Sequence, residues 1–228
     1  LNLGSTSTKV AVYMDKEEEF KESIGHAREE LDRYDDIWDQ YEYRKEAILG
    51  ILGENGYEMG QFDIIVTRGG TVKPIPGGIY RINEEMLKDM KSEIYGTHPC
   101  NVGSQVAYDL GKQFDIPVLT VDPPVTDEMW YWSKYSGIPQ ITRQSSFHAL
   151  NQKATARKLA FDLGKNYEDL NLIIVHLGGG ISVGAHKNGM VVDVNNALNG
   201  DGPFAPERSG SLPVGELIKM CFSNEYTE

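Results

Sequence analysis

The 228-residue sequence predicts an α/β fold, and three observations carry that prediction. Short β-branched runs alternate with stretches of helical spacing along the chain. Two Gly turns, Asn2-Leu3-Gly4-Ser5-Thr6 and His176-Leu177-Gly178-Gly179-Gly180, each open a strand pair, as two related lobes would. The composition, 40% hydrophobic and 25% charged, is that of a globular chain able to bury a core.

The elements follow in order. Lys9–Met14 alternates apolar and polar side chains and reads as a strand, with Phe20–His26 as a second. Asp35–Leu52 places Ile37, Tyr41, Ile48 and Leu52 on one helical face and stops at Gly53 and Gly56. Phe62–Thr67 is a buried strand running into Arg68-Gly69-Gly70, and Thr71–Arg81 is a Pro/Gly loop leading to a short strand. Asn83 caps a helix over 83–92, with Glu84 and Glu85 favourably placed in its first turn. A helix is predicted over Asn101–Phe114, a strand over Pro117–Val121, and the start of a helix at Asp127 and Glu128. Met129, Trp130 and Trp132 read as core or lobe-interface residues. A long helix is predicted over Ser146–Leu163 and a strand over Leu170–His176. Ile181–His186 and Met190–Val194 form a hairpin about the Asn-Gly turn at Asn188-Gly189. Asn195–Leu212 is a polar Gly/Pro loop, long enough to suggest a functional segment. Leu217–Glu228 reads as a helix and its exit, and the lobe boundary falls within 150–170.

The net charge of −12 argues against nucleic-acid binding, which needs clustered Lys and Arg. Anions must then be held locally, by backbone N–H groups and a few cations. Two cysteines, Cys100 and Cys221, make no disulfide framework and fit a reducing cytoplasm. No apolar run approaches the ~20 residues of a membrane span, and no segment reads as a signal peptide. The start at Leu1 and the stop at Glu228 both fall within predicted elements, so a piece of a longer protein is expected.

Candidate chemistry sits mostly at strand ends and turns. In Asn2–Lys9 the glycine admits a close ligand, while the amide of Asn2, the hydroxyls of Ser5 and Thr6 and the Lys9 ammonium can meet phosphate oxygens. A plain Ser/Thr turn has the same composition, and the order is not that of a Walker loop. Gly178, Gly179 and Gly180 let successive N–H groups converge on an anion, with His176 beside them. Arg68 and Arg208 suit bidentate recognition of carboxylate or phosphate. Alternatively, Arg68 pairs with a surface acid and Arg208 with Glu207 or Asp201. Asp122, followed by two prolines, can be held outward towards a metal, or can be a turn residue. His98 is a further candidate, as is His148, whose ring could reach an anion together with Asn151. No His/Cys cluster has zinc spacing.

Taken together, the segments NLGSTSTK (2–9), TRGG (67–70), PIPGG (74–78), VDPP (121–124), SFHALNQK (146–153), HLGGGISVGAH (176–186) and VDVNNALNGDGPFAPERSGSLP (192–213) resemble the butyrate kinase family. That family is related to acetate kinase within the actin-like superfamily. The resemblance implies an actin-like ATPase (ribonuclease H-like) α/β fold. It further implies a complete acyl-substrate lobe over 1–160 and an incomplete nucleotide-binding lobe over 161–228. It implies an enzyme that transfers the γ-phosphate of ATP, with Mg²⁺, to butyrate or a similar short-chain carboxylate, giving an acyl phosphate, and that forms homo-oligomers. Asn2, Ser5, Thr6, Lys9 and Gly178–Gly180 would hold nucleotide phosphates. Arg68 and Arg208 would bind the carboxylate and the transferring phosphoryl group, His176 would contact that group, and Asp122 would support Mg²⁺. His98, His148 and Asn151 would line the acyl site. The sequence departs from the family at Leu3, where proline is usual. The family's adenosine-binding loops and an acidic residue near the metal are expected beyond Glu228. Another kinase of the superfamily, such as a sugar kinase, and a catalytically inactive portion are the alternatives.

Overall fold

The computed structural model describes residues 1–198 and 201–226. Asn199 and Gly200 of the long loop, and the last two residues of the predicted terminal helix, lie outside the described residues. Contacts divide the chain into two compact units. The first comprises Leu1–Lys73 and Gly77–Val125, and the second Pro74–Pro76 and the residues from Thr126 onward.

The first unit opens with an antiparallel sheet of β1 (Asn2–Leu3), β2 (Ser7–Met14) and β3 (Glu17–Gly25). Alternation in β2 turns Thr8, Val10 and Val12 inward and leaves Lys9 outward. A short helix α1 (Arg28–Leu31) follows. The helix predicted from Asp35 starts as a 3-10 turn, Ile37–Gln40, capped by Asp36, and continues as α2 (Tyr41–Glu54). Of the strand predicted over 62–67, only β4 (Ile65–Thr67) pairs, because Met59–Gln61 forms a 3-10 turn just before it. β5 (Ile79–Arg81) and α3 (Glu84–Ser92) come next, with the Asn83 side chain accepting from the Met86 N–H at 2.9 Å. Helix α4 (Pro99–Phe114) begins two residues before its predicted start, and β6 (Val118–Val121) lies between a parallel β4 and an antiparallel β5. Ile48, Ile51, Val102, Val106 and Leu110 are buried, each side chain contributing roughly 1.5–3 kcal/mol.

In the second unit α5 (Ala149–Asp162) packs on β7 (Leu172–Leu177), which pairs with β8 (Ile181–Lys187) and then β9 (Met190–Val194), all antiparallel. Both units thus contain a strand, a Gly turn and two further antiparallel strands. The compact units divide at 125/126, whereas the sequence places the lobe boundary at 160/161. The intervening helix α5 packs its Ala156 and Ala160 against Tyr167 and Ile174.

Asp127 and Glu128 do not start a helix. The Glu128 carboxylate is drawn inward by Lys153 (2.7 and 2.8 Å) and also accepts the Val191 N–H at 2.8 Å, while Trp130 N–H donates to the Val192 carbonyl. Those bonds hold 128–130 extended beside β9. Met129 is buried with Phe147, Val191 and Val194, but Trp130 and Trp132 are exposed, which departs from a core role. The terminal helix α6 is Val214–Cys221, starting earlier than predicted.

Candidate functional site

In the first unit, the antiparallel register sets Asn2 directly opposite Lys9, and the residues between them close a tight turn in which Gly4 N–H donates to the Ser7 carbonyl at 2.8 Å. Asn2, Ser5, Thr6 and Lys9 are all exposed, whereas Leu3 and Thr8 point into the core. Leu3 packs on Gly103 of α4, where a Cβ would meet its Cδ1 at 3.0 Å.

Beneath this turn lies Arg44, fully buried on α2. Its guanidinium donates to the carbonyls of Ser5 (3.4 Å) and Ser7 (3.2 Å), to Thr8 Oγ1 (3.1 Å) and twice to Gln40 Oε1. All those partners are neutral oxygens. They draw the turn's carbonyls inward and leave a positive charge under the exposed hydroxyls. The Thr8 hydroxyl also meets His26 Nε2 at 2.8 Å, and burial, with the nearby Arg44 charge, lowers the His26 pKa. The sequence reading missed Arg44 because helical spacing alone does not mark a polar residue as buried.

Arg68 continues β4, and its N–H donates to the Leu1 carbonyl at 3.2 Å, placing it beside the first turn. Gly69 has φ +78°, and a Cβ there would lie 2.5 Å from Thr120 Oγ1. Gly70 rests against Asn101, whose Oδ1 accepts the Thr71 N–H at 2.9 Å. Cys100 is close enough to feel Arg68, yet burial dominates and pushes its thiol up to about 12.

Asp122 is not held outward. It is 1% exposed, has φ +41°, and its Oδ1 accepts the Gly78 N–H at 2.9 Å. The left-handed turn before Pro123 folds the carboxylate back onto Gly78. His98 caps α4, its Nδ1 accepting the Cys100 N–H at 3.1 Å. Among the described residues no three His, Cys, Asp or Glu side chains form a metal cluster.

The second unit gathers His148, Asn151, His176, Gly178–Gly180 and Arg208. The His148 and His176 rings stack at 3.7 Å with 10° between planes. His176 Nδ1 meets Asn151 Oδ1 at 3.0 Å, and His148 Nδ1 meets Ser182 Oγ at 3.0 Å. The glycine triplet is explained by close approach. A Cβ on Gly178 would lie 3.0 Å from His176 Nε2, on Gly179 2.6 Å from Glu207 Oε1, and on Gly180 2.7 Å from Arg208 Nη1. The three N–H groups do not all face outward, since Gly178 N–H donates to the Gly180 carbonyl at 3.1 Å.

The long loop is fastened to this turn. Glu207 N–H donates to the Gly179 carbonyl (3.2 Å), and Asn195 bonds Val183 N–H, the Ile181 carbonyl and the Asp201 carbonyl. Arg208 pairs with Glu207 at 3.6 Å and donates to the Leu198 carbonyl at 3.4 Å. Asp201 is instead partnered by Arg143, which also holds Asp193 at 3.0 Å. The Arg208–Glu207 pair is the alternative the sequence offered for that arginine, whereas Asn195, within the 192–213 segment, and Arg143 are site residues the sequence does not single out.

A model of the acetokinase family matches residues 130–217. A probable butyrate kinase of Clostridium botulinum (strain Alaska E43) is 53% identical over 228 residues, covering 100% of this chain and 64% of the relative. Butyrate kinase 2 of Clostridium acetobutylicum is 49% identical with the same coverage. Among solved structures, Porphyromonas gingivalis acetate kinase matches with TM-score 0.68 at 17% identity, over 99% of this chain and 64% of that one. A propionate kinase from Francisella tularensis matches with TM-score 0.66 at 18% identity, with the same coverage. These two show the fold, the actin-like α/β fold of such kinases. The chain spans 64% of the length of the curated relatives it matches.

Proposed function

We propose that the chain is a portion of an acetokinase-family protein, matched by the family model over 130–217 and by butyrate kinases at 49–53% identity, and that it is the carboxylate-kinase part of a protein that transfers the γ-phosphate of ATP, reversibly, to butyrate or a similar short-chain fatty acid. One observation carries the reading: a guanidinium and two stacked imidazoles gathered on a glycine turn in the second unit. That donor set fits an anionic phosphoryl group. The Arg208–Glu207 pair does not oppose it, because the Glu207 carboxylate is 70% exposed and such pairs hold by only about 0–1 kcal/mol. A phosphoryl group can therefore take Glu207's place on Arg208.

The chemistry asks little more of the protein than placement and charge. A carboxylate is ionised at neutral pH and needs no base to attack. Negative charge spreads over the equatorial oxygens of the transferring group, so donors fixed in advance stabilise the transition state. Arg208 and Arg68 are assigned to that charge and to the acceptor carboxylate, His176 donates to the transferring group, and His148 lines the acyl site. His98 and Asn151 belong to the acyl side. In this reading Asn2, Ser5, Thr6 and Lys9, backed by Arg44, hold nucleotide phosphates, as does the Gly178–Gly180 turn.

Mg²⁺ takes most of its ligands from water and phosphate with one or two carboxylates, and when bound it would neutralise phosphate charge; Asp122, 1% exposed and bonded to the Gly78 N–H, does not fit the carboxylate role that the resemblance implies for it. The first lobe is assigned to the acyl substrate and the second to the nucleotide, and a cytoplasmic homo-oligomer completes the proposal. No helix of the described residues is long and apolar enough to cross a membrane.

A hydroxamate assay with ATP and butyrate tests the reading, on the 228-residue chain and on a version extended to the length of its relatives. Butyryl hydroxamate should form. Its absence in both versions would overturn the assignment. Formation only in the longer version would make the present chain an inactive portion, the second reading that the 64% coverage keeps open.

A further inference from the structure

Below the glycine turn runs a line of polar groups that the proposed reaction does not use. Tyr167 Oη meets His186 Nδ1 (2.6 Å), and His186 Nε2 meets Gln152 Oε1 (2.9 Å). Gln152 Nε2 meets both the Ser182 carbonyl (3.2 Å) and Ser182 Oγ (2.8 Å), and Ser182 Oγ meets His148 Nδ1. Gln152 and Ser182 are 0% exposed, His186 2% and Tyr167 6%. Space for the line is made by Gly184, where a Cβ would sit on the Gln152 amide oxygen.

Hydrogen-bond chemistry gives this line one direction. The Ser182 carbonyl can only accept, so the Gln152 nitrogen faces it and the Gln152 oxygen faces His186. That oxygen also only accepts, so His186 carries its proton on Nε2. Burial, aided by the Lys153 charge and opposed by Glu128, holds His186 down at about 4, so the ring is neutral and its Nδ1 accepts from the Tyr167 hydroxyl. Ser182 Oγ receives a proton from Gln152 and has one of its own to give. Among the described residues its other hydrogen-bond partner is His148 Nδ1.

We infer that Gln152 and Ser182 are positioning residues that fix His148 in its Nε2–H tautomer, with Nδ1 the acceptor from Ser182. The consequence for function rests on the carboxylate-kinase reading: a neutral His148 would then carry its proton on the nitrogen not engaged by Ser182, as a donor for an anionic oxygen. Putting a proton on Nδ1 instead would turn the Ser182 hydroxyl proton away from its acceptor inside a buried site, which is costly. The stacked partner is set separately, since His176 Nδ1 faces Asn151 rather than this line.

The test reads the ring directly. The ¹⁵N-labelled 228-residue chain is examined by long-range ¹H–¹⁵N correlation about two pH units above the ordinary imidazole pKa of ~6.5. His148 is assigned by loss of its signals in His148→Gln. The expected pattern is a protonated Nε2 and an unprotonated Nδ1 for His148, becoming a mixture of tautomers in Ser182→Ala. An Nδ1–H or mixed pattern in the unaltered chain overturns the inference, as does an unchanged pattern in Ser182→Ala. Should Ser182→Ala fail to fold, the unaltered chain still decides. The measurement needs neither nucleotide nor carboxylate. Absent turnover in both the present and the extended chain, with the tautomer in place, would therefore count against the kinase reading and leave the positioning of His148 standing.

Discussion

Arg208 and Glu207 occupy neighbouring positions over the glycine turn, and their opposite charges make them a sensitive pair of probes. Removing a preorganised donor from a developing charge costs about 2.7–4 kcal/mol, or roughly 10²–10³ in kcat. Arg208→Ala in the active form of the protein should therefore lose that much turnover with little change in thermal stability, since Arg208 is a third exposed. Glu207→Gln should do the opposite to ligand affinity. It removes the competing carboxylate but keeps the backbone bond to Gly179, so inorganic phosphate should bind several-fold tighter by calorimetry. Near-normal turnover in the first variant, or weaker phosphate binding in the second, would refute these roles. The sequence offers Arg208 either as an anion ligand or as a partner of Glu207 or Asp201, and the Glu207 pair is present. Glu207 was legible only as a possible partner of that arginine. Its seat over Gly179 is a tertiary contact that no local pattern announces.

Among the elements, β8 and α5 carry the polar line through His186, and that histidine makes the second unit sensitive to acid. The unfolded chain titrates this residue at its ordinary value of ~6.5, whereas burial holds the folded group at about 4. As pH falls the unfolded chain takes up the proton first. The stability owed to a neutral His186 is thus complete above about 6.5 and is lost as pH falls towards about 4. Urea unfolding should show stability declining across that window, and the decline should be shallower in His186→Gln; equal slopes in the two proteins would show that His186 does not contribute. The order of elements was readable from periodicity and turns, including the Asn83 cap and the Asn188-Gly189 hairpin. Two element ends were not. The sequence around Asp127 and Glu128 has the acidic start of a helix, but Glu128 is claimed by a lysine 25 residues away. The start of α4 is set by His98, whose Nδ1 accepts the Cys100 N–H, a capping role that residue type alone does not announce beside the acyl-site role the resemblance implies.

For the molecule as a whole, the question is how a chain of net charge −12 holds a polyanion. The long-range field of such a chain repels ATP, but beyond the Debye length of about 8 Å at physiological salt that field is screened. Close contacts then decide, and every residue assigned to the nucleotide here addresses phosphate: Asn2, Ser5, Thr6 and Lys9 over the buried Arg44 charge, and the Gly178–Gly180 turn beside Arg208. None of them is assigned to the adenosine. Candidate phosphate residues can be proposed from sequence because glycine turns with hydroxyls and cations are local features. For the base, the resemblance places the binding loops beyond Glu228. The 228-residue chain should accordingly bind ATP and inorganic tripolyphosphate with Kd values within a few-fold of each other, both weakening as salt rises. Extending it to the length of its relatives should separate the two ligands in favour of ATP, where each tenfold of preference marks about 1.4 kcal/mol of adenosine recognition. A clear preference for ATP in the present chain would place base-recognising residues among those already described. Tighter binding at higher salt would show that net repulsion, and not the local cations, governs the encounter.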